Sequence, residues 1–314
     1  GFDLDIPDTS VAILLGSHNG GRFIAEQLES IAAQSHRNWS LWVSDDNSSD
    51  DTLEKVQRFA NDGWRDRVHI LKGPARGFVA NFLSLACNPD IEANYFAFCD
   101  QDDIWVPQKL ETALRKLSHH PAKQPAAYLG RTELIDSAGK TIGLSPLFPR
   151  EPTLKNALVQ SVGGGNTMVI NAAARQVLCM SGDRINVASH DWWTYLCVSA
   201  CGGVVIYDPT PMVKYRQHGS NIIGENSSLM SRLLRANLLL RGRFSSWIEG
   251  NMTALENLEA MIPAPNRDTI STFKALRCRP NPIGRLIGLY QLGLYRQRLF
   301  DNIWLYLAAA LGKW

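Results

Sequence analysis

Apolar runs and amphipathic segments alternate through the first third of the chain, and this alternation restricts the fold more than any other feature. Four segments are predicted to form strands, 11–15, 39–43, 67–71 and 95–99, of which 11–15 and 95–99 are apolar runs typical of buried strands. The segments between them carry apolar residues at helical spacing. Strands that alternate with helices form parallel sheets with helices on both faces. The sequence therefore predicts an α/β fold.

The strongest chemical signal is a group of three carboxylates directly after the apolar run at 95–99. Asp100, Asp102 and Asp103 would repel one another in a half-buried turn unless a cation or a network of donors lies between them. Oxygen ligands of this kind suit Mg²⁺ or Mn²⁺, and a substrate diphosphate would complete the coordination shell. A solvated acidic turn is the alternative. The residues alone leave open which of the three carboxylates would bind the metal.

Two further polar turns, at 16–20 and 44–51, also follow predicted strands. They should meet the carboxylates, because ligands of parallel α/β sheets bind beyond the carboxyl ends of the strands. In the second turn Asp46 could accept a hydrogen bond from a nucleobase, although Asp, Asn and Ser are also ordinary turn residues. Backbone N–H groups of the first turn could meet a base or a phosphate. Arg76 could pair with phosphate or remain a solvated charge.

Two candidate site residues lie further along the chain. Asp191 precedes Trp192 and Trp193, and partial burial beside these rings would suit a general base. Capping of the following helix is the alternative role of this carboxylate. His218 follows Arg216 in a loop after a predicted strand, and a neutral imidazole could complete a metal site. A purely structural histidine is the alternative there.

Composition places the chain among soluble globular proteins, with 45% hydrophobic and 20% charged residues over 314 positions. A net charge of only +2 gives no reason to expect a nucleic-acid partner. The six cysteines are scattered without zinc-finger spacing, which indicates reduced core residues and a cytoplasmic location.

The last part of the chain, 226–314, is basic, with 12 Lys and Arg against 5 Asp and Glu, an excess of seven. Its arginines are interleaved with leucines, as expected of basic amphipathic helices on an anionic membrane. The apolar stretch 303–311 is too short to span a bilayer. Peripheral contact with the inner face of the plasma membrane, packing on the rest of the protein and homodimer formation are the alternatives. The interleaved arginines include Arg232, Arg235, Arg241 and Arg243.

Five motifs occur in a fixed order along the chain. They are Ser-His-Asn-Gly at 17–20, Asp-Asp-Asn-Ser-Ser-Asp at 45–50, Asp-Gln-Asp-Asp-Ile-Trp at 100–105, His-Asp-Trp-Trp at 190–193 and Tyr-Arg-Gln-His-Gly-Ser-Asn at 215–221. Together they resemble the family 2 glycosyltransferases of GT-A fold, and most of all the bacterial rhamnosyltransferases that build surface polysaccharides. The resemblance covers about 11–225. Position 18 departs from it, because the family more often has Tyr there.

The resemblance implies a Rossmann-like, mostly parallel GT-A sheet flanked by helices, with a C-terminal helical extension. The catalytic domain would occupy 1–225, with a nucleotide-binding half at about 11–125 and an acceptor half at about 126–225. The basic helical region 226–314 would follow it.

The resemblance also implies a role for individual residues. Asp191 would be the catalytic base, Asp102 and His218 would hold the metal, and Asp46 would bind the base ring. The donor site would comprise Ser17, Asn19, Asp46, Arg76, Asn81, Asp100, Gln101 and Arg216. The sugar and acceptor site would comprise Gly164, Asn166 and Trp192.

The expected activity is an inverting, metal-dependent glycosyl transfer from a nucleotide diphosphate sugar to a hydroxyl of a glycan or lipid-linked glycan. By resemblance alone, the donor would be dTDP-rhamnose and the ion Mg²⁺ or Mn²⁺. A nucleotidyltransferase is one alternative, but it would usually show a Gly-rich loop with a basic residue for the triphosphate. A non-catalytic carbohydrate-binding module is the other, and it would need no diphosphate site.

Overall fold

The computed structural model describes residues 6–218 and 242–314. It contains a large sheet of seven strands and a small sheet of four. The strands are β1 Val11–Ser17, β2 Trp39–Asp45, β3 Val68–Lys72, β4 Tyr95–Asp100, β5 Ile104–Trp105, β6 Ala126–Gly130, β7 Glu133–Ile135, β8 Thr141–Leu144, β9 Val169–Asn171, β10 Val204–Asp208 and β11 Val213–Arg216.

The large sheet has the strand order β10-β6-β9-β4-β1-β2-β3. Its pairings are parallel except where β9 runs antiparallel to both β4 and β6. The predicted mostly parallel α/β sheet is thus confirmed. The four predicted strands of the first third became β1 to β4. Of these, β1, β2 and β4 are largely buried, whereas the edge strand β3 buries only Val68.

The small sheet has the order β5-β11-β7-β8. The sequence did not predict β5, β7 or β8, which contain two, three and four residues. Strands this short carry too few alternations to give a periodic signal. Their arrangement matters for function, because β11 pairs with β5 and so brings the segment around Arg216 beside the acidic turn at 100–103.

Helices cover both faces of the large sheet and continue to the end of the chain. Within the described residues the α-helices are α1 Ile24–Ala32, α2 Thr52–Phe59, α3 Phe78–Ala86, α4 Lys109–Leu117, α5 Leu154–Ala157, α6 Ala172–Ser181, α7 His190–Ala200, α8 Arg243–Leu255, α9 Ala264–Arg277, α10 Pro282–Leu292 and α11 Leu299–Ala310. Side-chain oxygens cap three of them, since Asn171, Ser189 and Asn281 accept backbone N–H groups of α6, α7 and α10.

The C-terminal helices share one hydrophobic core with the large sheet. Phe98 of β4, Leu196 of α7 and Leu289 of α10 belong to the same buried cluster, which also includes Trp314. A second cluster lies on the other face of the sheet, around Ile13 and Leu114. The predicted boundary at 225 stays a prediction, but the helices after 242 have no core of their own separate from the sheet.

Part of the predicted basic tail can be placed. Arg243 begins α8, whereas Arg232, Arg235 and Arg241 lie outside the described residues. Among the helices that the structure describes, none combines the length and the apolar character needed to cross a bilayer.

Candidate active site

The acidic turn after β4 brings its three carboxylates together. One oxygen from each of Asp100, Asp102 and Asp103 lies within 4.8 Å of the others. Burial, followed by the charges of Asp102 and Asp191, raises the pKa of Asp100 to about 7. The increase reflects first the loss of solvent around the Asp100 carboxylate and then its repulsion by neighbouring carboxylates. The oxygen donors therefore fit a hard divalent cation such as Mg²⁺ or Mn²⁺.

Asp103 differs from its two neighbours because the protein already binds both of its oxygens. Its side chain is fully buried. Asn166 Nδ2 donates to one oxygen at 2.8 Å, and the backbone N–H of Arg216 donates to the other at 3.2 Å. Burial and the neighbouring carboxylates raise the pKa of Asp103 well above its usual range. These contacts indicate that Asp103 organises the turn, which leaves Asp100 and Asp102 to face a ligand.

Asp102 and His218, the two predicted metal ligands, lie in direct contact. His218 Nε2 is 2.5 Å from Asp102 Oδ2, and both side chains are partly open to solvent. The two groups share a hydrogen bond, and both a carboxylate and an imidazole are ligand types that Mn²⁺ accepts. The ring of Phe23 packs 5.9 Å from the imidazole ring, which limits the positions that the histidine can adopt.

The loop at 163–167 connects the acidic turn with Asp191. The backbone N–H of Gly165 donates to Asp191 Oδ2 at 2.9 Å, and the next residue, Asn166, binds Asp103. Position 165 must be glycine, because an added Cβ would lie 2.3 Å from His190 Nε2. That imidazole is buried and stacked on Phe82 with ring centroids 4.1 Å apart. Asp191 is thus fixed beside Asp100, whose pKa responds to its charge.

Gln101 joins the acidic turn to the polar turn after β1. Its amide donates to the carbonyl of His18 at 2.9 Å and accepts the His18 backbone N–H at 2.9 Å. Gly20 makes room for this contact, because a Cβ there would lie 2.1 Å from Gln101 Oε1. His18 Nδ1 also contacts the backbone oxygen of Asp46 at 2.6 Å. Three strand-end turns therefore form one connected rim.

The two aspartates at the end of β2 have different surroundings. Asp45 accepts Ser17 Oγ at 2.7 Å and the backbone N–H and hydroxyl of Ser48, so its oxygens are occupied. Asp46 accepts only the backbone N–H of Ala75 among the contacts described here, at 2.8 Å. Asp46 therefore keeps acceptor capacity that a nucleobase N–H could use, and Asp45 supports the turn.

Four residues predicted to bind ligands make hydrogen bonds within the protein, and their predicted ligand contacts stay predictions. Ser17 is buried and donates to Asp45, and Asn81 is buried with its amide bonded to the hydroxyl and carbonyl of Ser44. Trp192 is buried and donates Nε1–H to the carbonyl of Ala157 at 2.7 Å. These three side chains position the elements around the site.

Arg216 is the fourth of these residues. Its guanidinium donates to the carbonyls of Asp102, Asp136 and Ser137 and to Glu26, and its side chain is 0% exposed. These bonds could not be predicted, because a buried arginine beside an acidic turn has the same sequence pattern as one that binds phosphate. These bonds hold the acidic turn in place, and the predicted contact of Arg216 with a donor stays a prediction.

Other predicted residues lie exposed at the rim. Asn19 and Arg76 are exposed, and Asn19 has a left-handed backbone with φ of 47°. Asn19 Oδ1 accepts the backbone N–H of Ser49 at 2.8 Å, so it helps to close the turn after β2. Gly164 lies close to the Asn166 side chain, and a Cβ added at position 164 would be only 2.4 Å from Asn166 Oδ1.

Sequence reasoning missed Tyr215 and Lys109. Burial, together with the charges of the four site aspartates, raises the pKa of Tyr215 to about 12. Neighbouring residues of β11 point to opposite faces, and Arg216 points away from the opening of the site. Strand alternation could therefore have placed Tyr215 toward the opening. Lys109 is fully buried, with Nζ 4.3 Å from the centre of the Trp105 ring and 3.4 Å from the carbonyl of Thr167. No sequence signal marks it as buried.

Comparison with known proteins identifies the family. The sequence model described as glycosyl transferase family 2 matches residues 12–178, more than half of the chain. The chain is a family 2 glycosyltransferase. This glycosyltransferase is 27% identical over 257 residues to the dTDP-rhamnosyl transferase RfbG of Shigella flexneri, covering 77% of this chain and 83% of that protein. It is also 34% identical over 104 residues to the glucosyltransferase WfgD of Escherichia coli, covering 33% and 39%.

Solved structures share the fold of this glycosyltransferase. Staphylococcus aureus TarS in complex with UDP superposes with a TM-score of 0.57 at 15% identity, covering 85% of this chain and 71% of that one. The mannosyltransferase PcManGT of Pyrobaculum calidifontis, in complex with GDP-Man and Mn²⁺, gives a TM-score of 0.51 at 17% identity and covers 98% and 88%. These likenesses confirm the predicted GT-A fold.

Proposed function

We propose that this glycosyltransferase is an inverting enzyme in which Asp191 is the catalytic base. The observation that supports the proposal most directly is the contact between the Gly165 N–H and Asp191, which holds this carboxylate beside the acidic turn. Two backbone N–H groups bind it, from Gly165 and from Trp192 at 2.7 Å, so its orientation is fixed before substrate arrives. A fixed carboxylate needs little reorganisation to accept a proton.

In the proposed reaction the acceptor hydroxyl attacks the anomeric carbon opposite the leaving nucleoside diphosphate. Asp191 accepts the hydroxyl proton, the new glycosidic bond forms, and the bond to the diphosphate oxygen breaks with its electron pair. Asp102 and His218 would hold a divalent cation, which when bound neutralises charge on the leaving diphosphate. Asp46 would bind the base, and Asp100 would lie near the ribose.

The proposed donor is dTDP-rhamnose, because a relative that matches most of this chain is named as a dTDP-rhamnosyl transferase. The proposed acceptor is a hydroxyl of a growing surface polysaccharide, either free or lipid-linked. The relative WfgD is named as acting on a diphosphoundecaprenol-linked sugar, which supports the lipid-linked form. Thermal-shift measurements with UDP, dTDP and GDP sugars, each with and without Mn²⁺, would identify the donor. We expect dTDP-rhamnose to raise the melting temperature at least as much as any other donor.

Substitution of Asp191 tests the proposed base. We expect Asp191→Asn to lower turnover by roughly 10²- to 10⁴-fold, since general-base assistance contributes about that much. Donor affinity, measured by calorimetry, should change little. Asp90→Asn, at an exposed aspartate on a loop outside the site, is the matched control and should keep full activity. Normal turnover by Asp191→Asn would show that another group accepts the proton.

A further inference from the structure

The last two helices form an antiparallel pair on the outside of the protein. Arg285 of α10 donates from Nε to the carbonyl of Ala309 at 2.6 Å and from Nη2 to the carbonyl of Ala310 at 2.8 Å, so the start of α10 lies beside the end of α11. The inner faces of both helices are buried, with Leu289 and Leu305 in the main core. One face of each helix is therefore fully used in folding.

The outer faces of the same helices are apolar as well. Eight of the seventeen exposed large hydrophobic residues in the described chain fall within 283–311, and they are between 44% and 77% exposed. They recur every three or four positions along each helix, as expected for one continuous stripe. They are Ile283, Ile287 and Tyr290 on α10, Leu299, Phe300, Ile303 and Leu307 on α11, and Leu311 just after it.

The two stripes adjoin. The two helices pack along each other, and the bonds of Arg285 to the end of α11 bring their outer faces side by side. In keeping with this arrangement, burial and then the charge of Tyr290 raise the pKa of Tyr306. Trp304 and Tyr306 are partly buried at the edges of the stripe on α11. Tyr and Trp side chains, which join an apolar body to a polar tip, are typical of surfaces that enter the interfacial layer of a bilayer. An exposed apolar surface of this extent usually has a binding partner.

The charges around the stripes indicate which partner. Asp301 is the only carboxylate side chain between positions 269 and 314, and it is buried. Arg279 precedes α10 and Arg298 precedes α11, and both are exposed. A second copy of this chain that paired through the same helices would bring arginines against arginines, and α10 and α11 themselves offer no exposed acidic side chain to pair with them. Anionic lipid headgroups would supply the missing negative charge.

We infer that the outer faces of α10 and α11 lie flat in the interfacial layer of a membrane that contains anionic lipids. The helices contain 11 and 12 residues, which is too short to cross the hydrocarbon layer but suitable for lying within the interface. The apolar stripe would supply the binding free energy, and Arg279 and Arg298 would supply the preference for anionic headgroups. The inference does not depend on the proposed reaction, since binding to lipid requires neither donor nor acceptor.

Vesicle flotation of the whole chain tests this inference without any sugar substrate. We expect the protein to float with vesicles of phosphatidylcholine and phosphatidylglycerol, and to float less with phosphatidylcholine alone. The double variant Ile287→Glu/Ile303→Glu should bind the mixed vesicles at least about ten-fold more weakly, because it places two charges in the apolar stripe. The matched control is Ile142→Glu/Met180→Glu, which alters two equally exposed apolar residues on β8 and α6. It should bind like the wild type.

Two further measurements decide between the partners. Circular dichroism melting of both double variants checks that each is folded, since all four positions are exposed. Sedimentation equilibrium without lipid measures the oligomeric state. The inference is overturned if the wild type does not float, if both double variants float equally, or if the wild type is a dimer that Ile287→Glu/Ile303→Glu converts to monomers.

Discussion

At the scale of single residues, the acidic turn shows that neighbouring carboxylates need not share a role. Asp102 is partly exposed and contacts His218, whereas Asp103 is buried with both oxygens bound by donors of the protein. From sequence the three aspartates are equivalent. Only the hydrogen bonds distinguish the carboxylate that organises the turn from those that face a ligand.

Alanine substitutions at these two positions should give opposite results. Asp102→Ala should weaken Mn²⁺ binding at least about ten-fold with little loss of stability, because its side chain lies at the opening. Asp103→Ala should lower the free energy of unfolding by about 1–3 kcal/mol, because it leaves the Asn166 amide and the Arg216 N–H buried without an acceptor. Calorimetric Mn²⁺ titration and urea unfolding of both variants provide the comparison, with each as the control for the other. If Asp102→Ala instead lowers stability and Asp103→Ala instead weakens Mn²⁺ binding, the two carboxylates have the opposite roles.

The buried Lys109 should make the stability of the protein depend on pH. Burial lowers the pKa of its ammonium group to about 7, below the ordinary value of 10.5. Below pH 7 the lysine is protonated in both the folded and the unfolded chain, so folding bears the full cost of burying the charge. That cost disappears as the pH rises from 7 to 10.5, because the folded state loses its proton first. The lysine thus makes the free energy of unfolding increase over this interval.

Lys109→Met should remove this pH-dependent increase and raise the free energy of unfolding at pH 7 by an amount on the order of 2 kcal/mol. Urea unfolding at several pH values between 7 and 10 measures the effect. Lys123→Met, at an exposed lysine, is the matched control and should leave the pH dependence of the wild type unchanged. An unchanged pH profile in Lys109→Met would show that the buried ammonium group keeps its ordinary pKa.

At the scale of elements, the site is a set of strand-end turns joined by side chains. Gln101 joins the acidic turn to the turn after β1, and Asn166 joins it to the loop before β9. The apolar runs predicted β1 to β4, and the parallel rule predicted that their polar turns converge. The bonds between turns could not be predicted, because they depend on which direction each side chain takes. The internal hydrogen bonds of Arg216 and Trp192 were not predicted for that reason.

Gly20→Ala tests the connection between the first two turns. The added methyl group would displace the Gln101 amide and break its two hydrogen bonds with His18. We expect donor affinity, measured by calorimetry, to fall several-fold. The double variant Gly20→Ala/Gln101→Ala should be no weaker than Gln101→Ala alone, because both changes remove the same contact. Gly284→Ala is the control, since its methyl group would meet no atom closer than 3.8 Å. If the losses of donor affinity in the two single variants add up in the double variant, Gly20 acts through a contact other than the one with Gln101.

At the scale of the whole molecule, a single buried cluster extends from the central strands to the last helices. Leu14 of β1, Phe98 of β4 and Leu289 of α10 are members of it. The sequence predicted a basic helical region after 225 but not how that region packs, because amphipathic helices on a membrane and helices on a sheet have the same periodicity. Shared burial implies that the helices and the sheet unfold together.

Two leucines of the last helices test this cooperativity. Leu289→Ala should lower the free energy of unfolding by about 2–5 kcal/mol, because Leu289 is fully buried in the shared cluster. Leu299→Ala, at a leucine that is 74% exposed, should change it by less than about 0.5 kcal/mol. Urea unfolding followed by circular dichroism and tryptophan fluorescence should show one coincident transition for both variants. Two separate transitions would show that the C-terminal helices form an independent unit.

The reversed direction of β9 has a consequence for how such an enzyme can diverge. Because β9 runs against β4 and β6, it begins at the edge where they end, and the loop before it delivers Gly165 and Asn166 to that edge. The turns proposed to hold the base and the ribose come instead from residues before 104. In the proposed arrangement, recognition of the nucleoside and of the acceptor is encoded in separate stretches of the gene. Recombination between them would exchange one specificity while leaving the other intact.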